Sequence, residues 1–383
     1  MGEGVTDGEG HCDLPQLTNA GKDFYLKLRS EYNGYASMNV SWSRFQRDEP
    51  EDIPGTFELK LPQGIRIGGL ITDENGHRLP SIPLWIQSYY RSGGPPPRTR
   101  PVLNDGSSEQ TSSDLEGRWS FDRLPPDWDD VVFKLRSRDF LPAEYVCDAN
   151  HYSMTGQVTM PKADLLALRA LIVLRHGPPI SGVVLDQNQN PIPGVRVVQN
   201  SNWSDDYASF KTGTDGVYRI QNAPTGALTL SFQADNYSPL TASFVIAGPA
   251  SNPPVILAPG HPLRGRVLDP AGQPLEGVTV STGPGSDPDP KFQWRTMTDV
   301  NGSFLWNGAP DTPVNLTFTK LGFRQERASI TANGNEQTVT LERVEESGEG
   351  IRIQGQVLDA ATGQPIPAFK FSLNENWGQS YQF

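Results

Sequence analysis

The feature that most constrains this chain is a short phrase, Gly-x-(Val/Ile)-x-Asp, that occurs four times. The four copies span residues 69–73, 182–186, 265–269 and 355–359. A second glycine lies five residues upstream of every copy, and a polar turn with a proline follows every copy. The copies start 113, 83 and 90 residues apart, which is too long for solenoid repeats and typical of small β domains. The chain is therefore predicted to be an array of small domains.

One complete unit can be followed from residue 180 to residue 258. Its apolar residues alternate with polar ones in short runs, and Gly, Pro, Asn and Asp occupy the positions between the runs. Seven strands are predicted, over or near residues 180–186, 195–198, 210–212, 217–220, 228–232, 244–246 and 255–257. Seven short strands with turns every 8–12 residues or so are typical of a Greek-key β-sandwich.

The same order of strands and turns divides the chain into five segments. Three complete sandwich repeats are predicted, over residues 65–176, 177–259 and 260–349. The first contains a Gly/Pro/Ser-rich insertion near 91–112, predicted to be a disordered loop, and one or two helical turns over 161–168. Residues 1–64 carry only the C-terminal half of a repeat and residues 350–383 only the N-terminal half. We therefore expect a piece of a longer protein with loose or aggregation-prone ends.

The repeated motifs resemble a known family. Residues 265–280, Gly-Arg-Val-Leu-Asp-Pro-Ala-Gly-Gln-Pro-Leu-Glu-Gly-Val-Thr-Val, are followed by Thr-Asp-x-x-Gly-x-Phe at 298–304 and by Gly-Phe at 322–323. This combination is similar to carboxypeptidase regulatory-like domains, and the resemblance covers nearly the whole chain. It implies a transthyretin-like, carbohydrate-binding-like and Ig-like β-sandwich without an active site. It also implies an accessory or surface module of an exported protein.

Composition excludes several functional classes. The formal net charge is −12, and no basic segment of the kind that nucleic-acid binding requires is visible, so no nucleic-acid partner is predicted. The strongest apolar stretch, residues 165–174, is shorter than the ~20 residues that span a bilayer, so no membrane insertion is predicted for this segment. The two cysteines, Cys12 and Cys147, lie in different repeats, and a disulfide between them is not favoured.

No arrangement of residues typical of catalysis is present in the sequence. None of the five histidines (His11, His77, His151, His176 and His261) has a glutamate three positions on, so a zinc carboxypeptidase or HExxH site is not predicted. The chain contains neither a GxSxG elbow nor a phosphate-binding glycine loop. The prediction is a protein that is not an enzyme, with no catalytic residues, no metal and no cofactor.

The recurrent aspartates allow two interpretations. Asp186, Asp269 and Asp359 end the first strand of their repeats, and the 299–302 turn also carries oxygen donors. Calcium requires six to eight oxygen ligands, whereas each cluster offers two or three. Asp and Asn at such positions usually hydrogen-bond to their own backbone turn. The turn interpretation is favoured.

Four aromatic residues are candidates for carbohydrate binding. Trp203 and Tyr207 precede Phe210, and Trp377 and Tyr381 precede the C-terminal residue, in each case in the polar loop between the second and third strands. Exposed aromatic rings beside amide and acid groups could stack on sugars, but the favoured interpretation is that they fold back onto the sandwich, since tryptophan is usually mostly buried. Phe210, Trp294 and Phe383 are predicted to occupy matching places on the third strand of their repeats.

The sequence leaves three functional hypotheses open. The first is a structural spacer or interaction module of a longer extracellular, cell-surface or periplasmic protein, with bacterial origin and export inferred from the resemblance. The second is a carbohydrate-binding module that uses the four loop aromatics. The third is an accessory region of a peptidase whose catalytic domain lies outside this chain. Flanking domains, other surface proteins and carbohydrate are the partners considered.

Overall fold

The protein is described by a computed structural model that covers residues 3–5, 7, 9, 11–13, 25–31, 34–36, 38–43, 56–89, 109–126, 128, 130–147, 158–199, 208–282, 292–320, 322–343, 354–366 and 370–375. Within these ranges the chain forms thirty β-strands and one short helix. It divides into two compact units. One unit contains residues 1–137, 142–175 and 345–383, and the other contains residues 138–141 and 176–344.

The second unit contains the two repeats predicted over 177–259 and 260–349. The strands of the first of these are β14 (Ile180–Asp186), β15 (Arg196–Gln199), β16 (Ser209–Lys211), β17 (Val217–Ile220), β18 (Gly226–Gln233), β19 (Leu240–Ile246), β20 (Ala250–Ser251) and β21 (Val255–Leu257). One sheet has the order β17-β14-β20, with β21 also paired to β14, and the other has the order β16-β15-β18-β19. Apolar side chains of both sheets, including Val184, Val197 and Phe232, meet in one fully buried core.

The next repeat has the same plan. Its strands are β22 (His261–Leu268), β23 (Thr279–Ser281), β24 (Arg295–Met297), β25 (Ser303–Ala309), β26 (Val314–Thr319), β27 (Glu326–Ile330) and β28 (Glu336–Thr340). The sheets have the orders β25-β22-β28 and β24-β23-β26-β27. These two repeats confirm the predicted all-β sandwich fold.

The first unit contains the strands and the helix of the repeat predicted over 65–176, whereas residues 138–141 of that repeat belong to the second unit. Its elements are β6 (Ile65–Asp73), β7 (Pro83–Tyr89), β8 (Glu109–Ser112), β9 (Arg118–Leu124), β10 (Asp130–Leu135), β11 (Ala143–Cys147), β12 (Val158–Met160), α1 (Lys162–Leu166) and β13 (Ala170–Leu174). Helix α1 confirms the predicted helical turns. Of the predicted insertion loop, residues 91–108 lie outside the described residues, whereas its last four residues form β8. That strand is held by pairing with β7 and by an ion pair of 2.9 Å between the buried Glu109 and Arg123.

The two predicted half-repeats pair with each other in the first unit. The N-terminal segment forms β1 (Glu3–Val5), β2 (His11–Asp13), β3 (Tyr25–Glu31), β4 (Met38–Ser43) and β5 (Thr56–Leu61), and the C-terminal segment forms β29 (Gln354–Asp359) and β30 (Lys370–Glu375). The sheet orders are β2-β29-β5 and β1-β30-β3-β4. Thus β29 and β30 take the positions that the first two strands take in the complete repeats, so the two segments together have the topology of one sandwich.

One topological feature is common to all four sandwiches. The first strand pairs in parallel with the closing strand, as in β6 with β13, β14 with β21, β22 with β28 and β29 with β5. The same first strand pairs antiparallel with the strand that follows the Asp-Gly turn, as in β14 with β17. The first strand is therefore the centre of its sheet.

This central position explains the glycine that opens the repeated phrase. Gly182 faces the ring of Tyr218 on the neighbouring strand, and Gly265 faces Phe304 in the same way. A Cβ at either glycine would overlap the aromatic ring. Both rings belong to the hydrophobic cores of their repeats, and the Tyr218 ring is fully buried with its hydroxyl accepting a 3.0 Å hydrogen bond from Asn252 Nδ2. In these two repeats the glycine of the phrase thus lets a large ring pack directly on backbone, whereas a Cβ at Gly69 would overlap the backbone of Ala170.

A buried hydroxyl joins the second and third strands of each complete repeat. Thr212 Oγ1 accepts a hydrogen bond from Val195 N and donates to Ile192 O, both at 2.8 Å. Thr298 makes the same pair of contacts with Val278 N and Leu275 O, at 2.9 and 2.6 Å. Ser113 does so with Ile82 N and Leu79 O. A short polar side chain therefore satisfies two buried backbone groups that the strand ladder leaves unpaired.

Candidate functional site

The four aromatic residues predicted to bind carbohydrate lie outside the described residues. Trp203 and Tyr207 fall between β15, which ends at Gln199, and Ala208, and Trp377 and Tyr381 follow β30. Their role remains a prediction. Phe210 and Trp294 are partly buried and pack against the cores of their own repeats, which confirms the interpretation that these two are core-facing residues.

The repeated aspartates hold backbone turns. Asp73, Asp186 and Asp269 each accept hydrogen bonds at one carboxylate oxygen from the backbone N–H groups two and four residues later, at 2.8–2.9 Å. Asp299 forms the same contacts at the Asn-Gly hairpin turn. The turn interpretation is therefore confirmed. In the part of the chain that the structure describes, no group of three or more His, Cys, Asp or Glu side chains is arranged to hold a metal ion.

Two of these carboxyl groups are strongly acidic. A side-chain hydrogen bond from Tyr35, together with backbone hydrogen bonds from Thr362 and Ala361, lowers the pKa of Asp359 from 3.8 to about 2. Burial would raise the pKa of Asp73, but hydrogen bonds from His77 and Asn75 outweigh it and lower that pKa to about 2 as well. The Tyr35 hydroxyl lies 2.7 Å from Asp359 Oδ2, so this bond links the N-terminal and C-terminal segments of one sandwich.

These shifts predict loss of stability in acid. A carboxyl group that is more acidic in the folded than in the unfolded chain stabilises the fold above its unfolded pKa, and protonation removes that contribution as the pH falls through the folded pKa. We expect the melting temperature to stay level from pH 7 to pH 5 and to fall between about pH 4 and pH 2, the two pKa values involved. Circular dichroism melts at half-unit pH steps measure this fall.

Asparagine variants test the assignment of this acid transition. Asp359→Asn and Asp73→Asn should lower the melting temperature at pH 7 and flatten its fall below pH 4, because the titrating group is gone. Asp235→Asn, at an exposed turn position, serves as the matched control and should keep the full fall. Equal pH profiles for all three variants would show that neither turn carboxylate contributes to acid stability.

The joint between the last two complete repeats is built from backbone contacts. The turn at the end of β18 carries Tyr237, whose backbone bridges Pro259 in the connection to the next repeat. Gly260 N donates to Asn236 O at 2.8 Å, and Ser238 N donates to Ala258 O at 2.9 Å. The connection of three residues between β21 and β22 is therefore hydrogen-bonded to the preceding repeat along its length.

Two glycines, Gly260 in the connection and Gly308 in the following repeat, let the connection pack against that repeat. A Cβ added to Gly260 would overlap the backbone of Gly308 in β25, and a Cβ added to Gly308 would come within 2.9 Å of Tyr237 O. The two repeats thus touch where both lack a side chain. Backbone-to-backbone packing of this kind leaves little freedom for the neighbours to pivot, because any rotation drives main-chain atoms together.

The same joint recurs elsewhere in the chain. Between the β1–β5 segment and the next repeat, Gly64 N donates to Gly34 O at 2.8 Å, Ala36 N donates to Pro62 O, and a Cβ at Gly64 would overlap the Asp122 carbonyl oxygen. The connection to the repeat of β14–β21 differs, because Gly177 N donates to Asn222 Oδ1 at 3.1 Å and a Cβ there would overlap Ala223 O, and both partners lie in the repeat that Gly177 opens.

The turn of residues 138–141 belongs to this last joint. Asn222 Nδ2 donates to Arg138 O at 3.1 Å, and the Phe140 ring packs on His176 with centroids 4.6 Å apart. An aromatic residue from the preceding turn therefore lies on the connection here, as Tyr237 does in the next joint. The upstream glycines Gly64 and Gly260 therefore bond to the segment before them and pack against the backbone of the repeat after them.

The fold and the joints define a class of protein, a tandem array of β-sandwich domains. Two adjacent segments, residues 179–256 and 262–343, match the model of the carboxypeptidase regulatory-like domain. These two tandem segments are therefore similar to carboxypeptidase regulatory-like domains, as the sequence motifs indicated. No curated protein matches the chain at a significant level. Among the described residues, no helix is long and apolar enough to cross a membrane.

Several solved structures share local similarity with the chain. A Streptococcal ancillary pilin is 13% identical with a TM-score of 0.24, over 73% of this chain and 99% of the pilin. The Bacillus anthracis TIE protein is 10% identical with a TM-score of 0.21, over 89% of this chain and 73% of that protein. The shaft pilin SpaA from Lactobacillus rhamnosus GG is 13% identical with a TM-score of 0.21, over 43% and 97%. Likeness at this level carries no argument about function.

The glycines and the turns that form the joints were recognised in the sequence, but the contact between them was not predicted. The upstream glycines and the Gly-Phe turn at 322–323 were both visible in the sequence. In the joint, the turn before the sixth strand of one repeat contacts the glycine that opens the next repeat. Asn236 and Gly260, which form such a contact, are more than twenty residues apart in the sequence. The signal that could have found it is an aromatic residue at this turn of each complete repeat, namely Phe140, Tyr237 and Phe323.

Proposed function

We propose that this chain is a noncatalytic tandem segment of a larger exported protein, and that it acts as a structural spacer and interaction module. The observation that supports this most directly is the repeated joint, in which a glycine of the connection is bonded to one repeat and packed against the backbone of the next. A chain that only tethered its domains would need flexible connections, whereas the three connections that the structure describes in full, residues 62–64, 175–179 and 258–260, are three to five residues long and hydrogen-bonded.

The similarity to regulatory-like domains supports the noncatalytic role and an extracellular, cell-surface or periplasmic location for the longer protein.

Two alternative functions stay open as proposals. A carbohydrate-binding module would use Trp203, Tyr207, Trp377 and Tyr381, and its test is the loss of saccharide-induced fluorescence change in Trp203→Ala. An accessory region of a peptidase would require a catalytic domain outside this chain, so the neighbouring coding sequence tests it. The domain boundaries at 64/65, 176/177, 259/260 and 349/350 are part of the proposal.

A valine at Gly260 tests the spacer proposal. Gly260→Val places a branched side chain against the Gly308 backbone, so the joint must open and its two hydrogen bonds are lost. With about 1 kcal/mol for each bond, amide exchange at Gly260 and Ser238 should accelerate by on the order of tenfold or more, while exchange in the cores of both repeats stays the same. Hydrogen–deuterium exchange of the whole chain measures this difference.

Gly248→Val is the matched control for that measurement. Gly248 belongs to the same repeat, and a Cβ there meets no atom within 4 Å. Exchange at the joint amides should match the wild type in this variant. If the joint amides of the wild-type chain already exchange as fast as in Gly260→Val, the connections do not hold the repeats and the spacer proposal fails.

A further inference from the structure

Five asparagines of this chain directly precede a glycine, namely Asn33, Asn75, Asn301, Asn307 and Asn333. Such a pair can react with itself, because glycine has no Cβ to hinder its backbone nitrogen from approaching the asparagine side chain. Asn33 lies outside the described residues. The other four pairs have different surroundings, and one of them combines an open backbone nitrogen with a side-chain carbonyl group that is already polarised.

The pair Asn333 and Gly334 lies in the exposed turn between β27 and β28. Gly334 has a φ of +82°, and a Cβ there would meet no atom within 4 Å, so the space around its backbone is open. In the part of the chain that the structure describes, the Gly334 N–H group makes no hydrogen bond. The Gly334 nitrogen can therefore lose its proton to solvent without breaking a contact within the protein.

Two hydrogen-bond donors polarise the side-chain carbonyl group of Asn333. Its Oδ1 accepts hydrogen bonds from Asn335 N at 3.0 Å and from Gln337 Nε2 at 3.4 Å. An attack on Cγ moves negative charge onto this oxygen, and donors that are already in place stabilise that charge. Asn333 thus accepts the bond that Asp299 accepts in its own turn, but through an amide group that can be displaced.

The other three pairs within the described residues are held differently. Gly76 N donates to Asp73 O at 3.2 Å and Gly302 N donates to Asp299 O at 2.9 Å, so each nitrogen must break a hydrogen bond before it can attack. In both turns an aspartate side chain, and not the asparagine, accepts the backbone N–H groups. Asn307 lies inside β25, where pairing with β22 keeps the backbone extended.

We propose that Asn333 is a site of spontaneous deamidation, which reacts faster in the folded chain than the other described asparagine–glycine pairs. The Gly334 nitrogen forms a bond to Cγ of Asn333 and the bond between Cγ and Nδ2 breaks. The proton of the Gly334 nitrogen passes through water to Nδ2, which leaves as ammonia. Water then opens the cyclic imide, at Cγ to give aspartate or at the backbone carbonyl carbon to give isoaspartate. Water is the only co-reactant.

The two products change the repeat formed by β22–β28 in different ways. A carboxylate at position 333 can accept the same bonds from Asn335 N and Gln337 Nε2, as Asp299 does in its turn, so aspartate fits the fold. Isoaspartate adds one carbon atom to the main chain of the turn that joins β27 in one sheet to β28 in the other. Both products add a negative charge. The modification does not depend on the spacer proposal, because it is measured on the peptide that contains residue 333.

Peptide mapping by mass spectrometry tests the inference on the whole chain, incubated at mildly alkaline pH either folded or unfolded in guanidinium chloride. In the folded chain, Asn333 should be converted about fivefold or more faster than Asn75, Asn301 and Asn307, because its nitrogen has no hydrogen bond to break. In the unfolded chain, where only the local sequence acts, the four rates should become similar. Equal rates in the folded chain, or the same lead of Asn333 in the unfolded chain, would overturn the proposal.

A variant of Gln337 tests the role of the two donors. Gln337→Leu removes one donor to Asn333 Oδ1 and should slow the conversion of Asn333 by about threefold. Gln273→Leu makes the same change in the turn that follows Asp269 of the same repeat, and it should leave the conversion of Asn333 at the wild-type rate. If Asn333 reacts equally fast in the two variants, the donors do not activate its side chain.

Discussion

Replacing Gly182 by valine is expected to destabilise its repeat by about 3 kcal/mol. The new side chain would overlap the Tyr218 ring, which is fully buried among Val184, Phe232 and other core residues. The ring has no space to move into, and its hydroxyl is bonded to Asn252. Urea unfolding followed by circular dichroism should show an early transition for this repeat.

A double-mutant cycle distinguishes this overlap from a general intolerance of valine. Tyr218→Ala removes the ring, so Gly182→Val in that background should cost much less than in the wild type, giving a coupling energy of more than about 1 kcal/mol. Gly248→Val, where a Cβ meets nothing within 4 Å, should remain close to wild type in this assay also. Additive effects of Gly182→Val and Tyr218→Ala would contradict the proposed packing.

Thr298→Val should cost the next repeat about 3 kcal/mol. Valine has nearly the shape of threonine but cannot bond to Val278 N or Leu275 O, and each buried backbone group left unpaired costs about 1–3 kcal/mol. Thr298→Ser keeps both bonds and should retain most of the stability. Urea unfolding again measures the effect. The variant should lower the urea concentration at the midpoint of unfolding without changing the dependence of the unfolding free energy on urea.

Thr296→Val is the control for this prediction. Thr296 lies in β24, two residues before Thr298, and is only partly buried. It should change stability by less than about 0.5 kcal/mol. If Thr298→Val and Thr296→Val behave alike, the buried hydroxyl is not the bridge between the second and third strands that its geometry indicates.

The sequence predicted much of the fold because its strongest signals are local. The strands Ile180–Asp186, Val217–Ile220 and Val255–Leu257 were predicted with the bounds that the structure shows. Each is a short run bounded by glycine, proline or a polar turn, so neighbouring residues alone determine its limits. The helical turn α1 follows Pro161 and contains Asp164 in its first turn, and it was predicted from the same kind of local signal.

The register of the third strand was predicted wrongly. Phe210 and Trp294 were matched, but the bonds of Thr212 and Thr298 make those two threonines equivalent, so the counterpart of Phe210 is Thr296. The error is a shift of two residues. Such a shift keeps every side chain on its original face of the sheet, and the alternation of apolar and polar residues cannot detect it. Only the hydrogen bonds of the buried hydroxyl decide between the two alignments.

The contacts of the joints could not be predicted from the sequence. Gly260 and Gly308 are 48 residues apart, and they come together only because β22 and β25 pair. A glycine in the sequence does not show which backbone packs against it, because that contact exists only after the strands have paired.

Double electron–electron resonance between neighbouring repeats tests the central claim, that the joints hold them in a fixed arrangement. Spin labels at Val245→Cys and Val300→Cys, both exposed, report on the two repeats of the second unit in a full-length chain carrying Cys12→Ser and Cys147→Ala. We expect one narrow distribution of distances between the two labels, and we expect this distribution to broaden in the Gly260→Val variant. A broad distribution in the parent chain would contradict it, because the repeats would then move independently.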